Sequence, residues 1–156
     1  LVFVHIISPH PPFVFGPEGE PIAMGEFELQ EDADEAWQLA AYVDQVSYLN
    51  ARVIEVVEAV FRDSARPPIM IIMGDHGWAD RTDEDKLSIL NAIYLPSNGT
   101  QSLYPTLTPV NSFRLIFDQY FGTDFGLLPD LSYASDNADP YNYSSVENSW
   151  RPTGAP

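Results

Sequence analysis

Cysteine is absent from all 156 residues, so the chain has no disulfide framework, no thiolate nucleophile and no cysteine-based zinc site. Basic residues are scarce. Seven Lys and Arg stand against 23 Asp and Glu, for a formal net charge of -16. That balance repels phosphate backbones and anionic lipid surfaces, which argues against nucleic acid or a membrane surface as partner. It suits a chain that gathers cations. No apolar run approaches the ~20 residues of a membrane span, so no membrane contact is expected from this segment. Missing too is any initiator Met or polar lead-in before Leu1-Val2-Phe3-Val4. The expectation is a fragment of a longer chain, cut just before a central strand. What remains is apolar enough for a core: 45% of residues are hydrophobic and 13% aromatic, at a length suited to one domain.

The stretch Ile69-Met70-Ile71-Ile72-Met73 follows a double proline and ends abruptly in Gly74-Asp75-His76-Gly77. An apolar run of this kind reads as a strand buried on both faces, as in parallel sheets. Open α/β sheets bind ligands just beyond the carboxyl ends of their strands, which is where Asp75 and His76 fall. Asp75 offers a hard oxygen and His76 a neutral nitrogen, so the two could hold one divalent cation. Taken alone, an Asp-His pair is more often a turn cap beside a surface histidine.

Residues 1–7 form a second apolar run, interrupted by His5, which reads as another buried strand with His5 a satisfied core histidine. It leads into Ser8-Pro9-His10-Pro11-Pro12-Phe13, whose prolines hold His10 in a stiff, non-helical loop. A long helix is expected from a capping box of Asp32 with Glu35 to the Pro67-Pro68 stop, with Leu39, Val43, Val46, Val53, Val57 and Val60 as its apolar stripe. Strand, helix, strand predicts a βαβ unit and parallel neighbours, which would bring His10 toward Asp75 and His76. The predicted fold class is therefore α/β, a mostly parallel sheet flanked by helices. Residues 78–86 read as a charged loop. Pro96-Ser97-Asn98-Gly99 is strong turn chemistry, and Thr108-Pro109 opens a helix that buries Phe113, Ile116, Phe117 and Tyr120 and stops at Gly122. Residues 1–130 are expected to be the folded section and 131–156 a polar, loosely structured tail.

With its motifs in the order His5-Ile6-Ile7-Ser8-Pro9-His10-Pro11-Pro12-Phe13, Gly74-Asp75-His76-Gly77 and Thr108-Pro109-Val110-Asn111-Ser112-Phe113-Arg114, the chain resembles the alkaline phosphatase–sulfatase superfamily. The likeness is closer to the membrane-anchored bacterial branch that includes lipoteichoic acid synthases and phosphoethanolamine transferases. The resemblance implies a partial alkaline-phosphatase-like fold, the C-terminal part of a sulfatase-like catalytic domain. Asp75 and His76 would match a pair of metal ligands, and His10 the histidine that touches the phosphate or sulfate group in transfer. A histidine-containing pair suits manganese or zinc better than calcium. The substrate implied is a small anionic ester, and Arg81 could assist its binding, although a solvated loop arginine is the commoner case. The family's nucleophile and its first acidic metal ligand would lie upstream of Leu1, in a missing N-terminal part of the same domain that becomes this chain's partner. The implied setting is the extracytoplasmic domain of a bacterial membrane-anchored protein. Trp78 departs from the pattern, since transferases of this branch often carry an acid there. The other class of function consistent with these residues is a non-catalytic module that holds a cation or a partner.

Overall fold

Helix α1, Glu35–Asp63, begins where the side chain of Asp34 accepts a hydrogen bond from the Trp37 amide at 2.8 Å. It ends with Arg62 in its last turn, shortly before the double proline. The computed structural model describes residues 1–23, 34–78, 82–136 and 138–147. Asp32, expected to cap α1, lies outside the described residues, and the observed cap is Asp34. The chain divides into two compact units, Leu1–Arg66 and Pro67–Pro156.

In the first unit a loop packs on α1 through a polar residue that periodicity alone would place elsewhere. Gln45 is fully buried, and its Oε1 accepts from the amides of Val14 at 2.8 Å and Phe15 at 3.3 Å. Phe13 is buried against the rings of Trp37 and Tyr42, while Phe15 meets Tyr48. Gly19, at φ +88°, brings the backbone against the Tyr48 ring, where a Cβ would lie 2.4 Å from it. The packed face of α1 thus runs through Ala41, Gln45 and Tyr48, and the expected stripe members Leu39 and Val43 are exposed.

The second unit opens with β1, Met70–Met73, whose partner is β2, Asn91–Tyr94. They pair antiparallel, Met70 opposite Tyr94 and Met73 opposite Asn91. Between them a five-residue helix, α2 (Asp83–Leu87), starts on a capping box. The Thr82 hydroxyl accepts from the Asp85 amide at 3.1 Å, and the Asp85 carboxylate accepts from the Thr82 hydroxyl and amide. A 3₁₀ turn, Gly99–Ser102, follows β2. Helix α3, Pro109–Phe121, has Thr108 as cap, Pro109 in its first turn and Gly122 at φ 71° as its stop, as the sequence predicts. Leu95, Leu115 and Ile116 form the core, with Ile69, Ile71, Ile93, Leu103 and Tyr120 packed around them. Phe113 and Phe117, expected inward, are 48% and 41% exposed, and their place is taken by Asn111, Ser112 and Leu115. The polar run after Asp130 forms an antiparallel hairpin of β3, Ser132–Asp136, and β4, Asp139–Val146.

The expected parallel α/β sheet is not formed. The described strands make two separate antiparallel pairs, β1 with β2 and β3 with β4. Residues 1–7 adopt no strand, and Leu1, Val2, Phe3, Val4, Ile6 and Ile7 are all exposed. Apolar composition supplies side chains for burial but no partner for backbone N–H and C=O groups, and a strand requires one. Among the described residues of the first unit, the one β-type pairing outside α1 is the isolated bridge of Phe15 with Pro21. With no first strand the βαβ unit lapses, and with it the argument that brought His10 toward Asp75. His5 is likewise exposed rather than a core histidine. No described helix is long and apolar enough to cross a membrane.

Candidate functional site

The site begins where β1 stops. The Gly74 amide donates to the Leu90 carbonyl at 2.9 Å, extending the hairpin one residue past Met73. Asp75 then turns back on the chain, its Oδ1 accepting from the His76 amide at 3.1 Å. Its other oxygen, Oδ2, lies 4.0 Å from His76 Nε2. The Asp75 side chain is 84% exposed and that of His76 44%, so both open to solvent rather than to the core.

The imidazole is oriented from behind. His76 Nδ1 lies 2.7 Å from the carbonyl oxygen of Gly77. A carbonyl only accepts, so in the neutral ring Nδ1 carries the proton and Nε2 the lone pair. This is the arrangement in which a histidine binds metal through Nε2 while a backbone carbonyl fixes the tautomer. Gly77 is in turn docked, its amide donating to the Lys86 carbonyl of α2 at 2.7 Å. A carboxylate oxygen and an imidazole nitrogen are a donor set that suits manganese or zinc. The residues present fit such an ion as two of its ligands. Among the described residues no group of three or more His, Asp or Glu side chains is placed to hold one.

His10, in the first unit, repeats the local pattern. Its amide donates to the Ile7 carbonyl at 3.0 Å, closing a turn. Its Nδ1 lies 2.6 Å from the carbonyl oxygen of Pro11, so the neutral ring again presents its lone pair on Nε2. The proline-rich loop therefore holds His10 exposed and outside any helix or strand, as its sequence predicts. Asp75 and His76 are neighbours in the chain, and the turn leaves His76 Nε2 4.0 Å from Asp75 Oδ2. Arg81, the expected aid to anion binding, lies outside the described residues.

A second polar cluster escapes the sequence reading. Asp130 accepts from the Tyr104 hydroxyl at 2.6 Å, from the Thr108 amide at 3.0 Å and hydroxyl at 2.8 Å, and from Asn111 Nδ2 at 2.8 Å. Asn111, fully buried, also exchanges hydrogen bonds with both backbone groups of Leu128, at 2.9 and 2.7 Å. Burial alone would raise the Asp130 carboxyl, but these donors together hold it below the usual carboxylate range. Burial, with the neighbouring carboxylate, pushes the Tyr104 phenol up. These bonds tie the start of α3 to Tyr104, Leu128 and Asp130. The signal that could have found α2 was legible, since Thr82 followed three residues later by Asp85 is a capping pattern. Asp130 gave no local sign, because its partners lie 19 to 26 residues away.

No protein-family model, no curated protein and no solved structure matches this chain.

Proposed function

We propose that the chain supplies part of the catalytic centre of a metal-dependent phosphoryl or sulfuryl hydrolase or transferase of the alkaline phosphatase–sulfatase kind. The observation that carries this reading is the paired presentation of Asp75 Oδ2 and His76 Nε2 beyond the end of β1, with the His76 tautomer set by Gly77. The order of the His10 loop, the Gly-Asp-His-Gly turn and the Thr-Pro-led helix supports it from the sequence side. The reading rests on these loops and not on a parallel sheet. Asp75 and His76 hold the ion, manganese or zinc, which when bound supplies Lewis-acid polarisation of the ester oxygen. The resemblance assigns His10 to the transferred group; donation to its oxygens, where charge develops, requires a proton on Nε2 as well as on Nδ1. No Thr or Ser of this sequence sits in a context that suits the nucleophile, and the reading gives that role to no residue of this chain. The extracytoplasmic, membrane-anchored setting follows from the resemblance alone.

Calorimetric titration of the chain with zinc or manganese tests the ion-holding role. Two side chains make a weak site, so the expected result is a dissociation constant well above the nanomolar range, abolished in Asp75→Ala. Nanomolar affinity would mean ligands beyond these two, and no binding would refute the reading. In the intact protein, His10→Ala is expected to lower ester turnover by about 100-fold or more, the scale of losing a donor to developing charge, with metal content unchanged. Loss of metal in that variant would make His10 a ligand instead. A cation held with no turnover of phosphate or sulfate esters would point to the non-catalytic module.

A further inference from the structure

Gly77 stands where the backbone has no unusual conformation to demand a glycine; its φ is not among the positive values, which belong to Gly19, Gly122 and Gly126. What demands it is space. A Cβ at Gly77 would lie 2.1 Å from the carbonyl oxygen of Asp85 and 2.6 Å from that of Ser88, both rigid main-chain atoms. At Gly74, three residues earlier, the nearest atom to such a Cβ is 3.5 Å away, an ordinary contact. The two glycines flanking Asp75 and His76 are therefore not equivalent. Gly77 is pressed onto the end of α2 and bonded to it through the Lys86 carbonyl, while its own carbonyl receives the His76 Nδ1 proton.

From this chain of contacts we infer that Gly77 is a positioning residue, and that α2 acts through it to hold His76 as the Nδ1–H tautomer with Nε2 turned toward Asp75. Four links make the device. The Thr82–Asp85 capping box closes α2; α2 presents the Lys86 carbonyl; that carbonyl fixes the Gly77 amide; and the Gly77 carbonyl orients the imidazole. A short helix of five residues is marginal by itself, so its cap decides whether the anchor exists. The inference deepens the ion-binding reading of Asp75 and His76 and rests on it for its purpose, but the tautomer is a property of the metal-free chain. Outer contacts of this type set ring orientation and ligand basicity, and their loss costs about 10- to 100-fold in metal affinity.

The test is nitrogen NMR of the metal-free chain at a pH of about 8.5, above the ordinary imidazole range, where the shifts of Nδ1 and Nε2 report which carries the proton. Wild-type His76 is expected almost wholly as the Nδ1–H form. Gly77→Ala is expected to move it toward the Nε2–H form that a solvated histidine prefers. Thr82→Ala, which removes the cap and leaves the loop sequence intact, is expected to do the same in part. It keeps the test decisive should Gly77→Ala fail to fold. Gly74→Ala is the control and should leave the tautomer as it is. An Nε2–H ring in the wild type, an unchanged ring in both Gly77→Ala and Thr82→Ala, or an equal change in Gly74→Ala would overturn the inference. Zinc titration of the same variants separates the two claims, with a loss of about 10- to 100-fold expected alongside the tautomer change. A wild type that binds no zinc, yet shows the tautomer change, would support the positioning role of Gly77 and remove the ion-binding reading above it.

Discussion

On the proposed function, Asp75→Ala is expected to lower phosphodiester or sulfate-ester turnover by more than about 100-fold, since even outer-shell losses at metal sites reach about 10- to 100-fold. The substitution removes a carboxylate whose oxygen lies 4.0 Å from His76 Nε2. It also removes the acceptor of the His76 amide, so the turn itself loses a hydrogen bond. Asp75→Asn separates these effects. The amide oxygen can still accept from the His76 amide, but it brings no negative charge to an ion. If turnover falls in both variants, charge is what matters; if Asp75→Asn keeps it while Asp75→Ala does not, the carboxylate was only a turn cap. Retained turnover in Asp75→Ala would end the catalytic reading of the Gly-Asp-His-Gly turn.

Asn111→Leu is expected to destabilise the second unit by about 2–3 kcal/mol, the scale of leaving several buried polar partners unsatisfied. Leucine matches asparagine in shape but returns none of its bonds. The amide and carbonyl of Leu128 would lose their partner, and Asp130 one of its four donors. Urea unfolding monitored by the fluorescence of the second unit would measure the loss, and a change below about 1 kcal/mol would mean that water replaces the asparagine. The same cluster sets a pH dependence. Because the folded Asp130 carboxyl sits below its ordinary value, its contribution is complete above about pH 4 and is lost as pH falls through the depressed value. Tyr104, pushed the other way, contributes fully below about pH 10 and loses its share as pH rises through the raised value. Asp130→Asn should flatten the acid limb and weaken the alkaline limb, because the Asp130 carboxylate is one cause of the raised Tyr104 phenol and burial the other.

The parts legible in the sequence are those whose causes are local. Thr108 and Pro109 start α3 and Gly122 stops it through contacts within one turn, and the sequence shows all three. The same holds for the proline-bounded end of α1 and for the stiff loop that displays His10. Strand pairing is different, because the partner is chosen at a distance. Met70–Met73 is a strand as expected, but nothing in its five-residue apolar run says that β2 will return alongside it antiparallel. Residues 1–7 have the composition of a strand but pair with no strand among the described residues. Apolar periodicity likewise found Ile116 and Tyr120 on the inner face of α3 but misplaced Phe113 and Phe117, since Asn111 is worth burying only where Asp130 and Leu128 meet it. Asp75 and His76 could be named from the sequence as candidate ligands, but the contacts of α2 that orient the His76 ring could not.

Residues 123–130 connect α3 to β3 and would pass for an ordinary surface loop. Yet Asn111, Arg114 and Asp118, on successive turns of the helix, all hold it. Asn111 binds Leu128; Arg114 donates to the carbonyls of Phe125 and Gly126; Asp118 accepts from Thr123, Phe125 and Gly126. Surface connections usually absorb added residues at little cost, because closure entropy grows slowly with length. Here the spacing of the carbonyls and amides must match the helical rise, so one inserted residue would slide every bond out of register. This strap has a fixed length, and homologous chains that lengthen it would have to give up the helix contacts that define it.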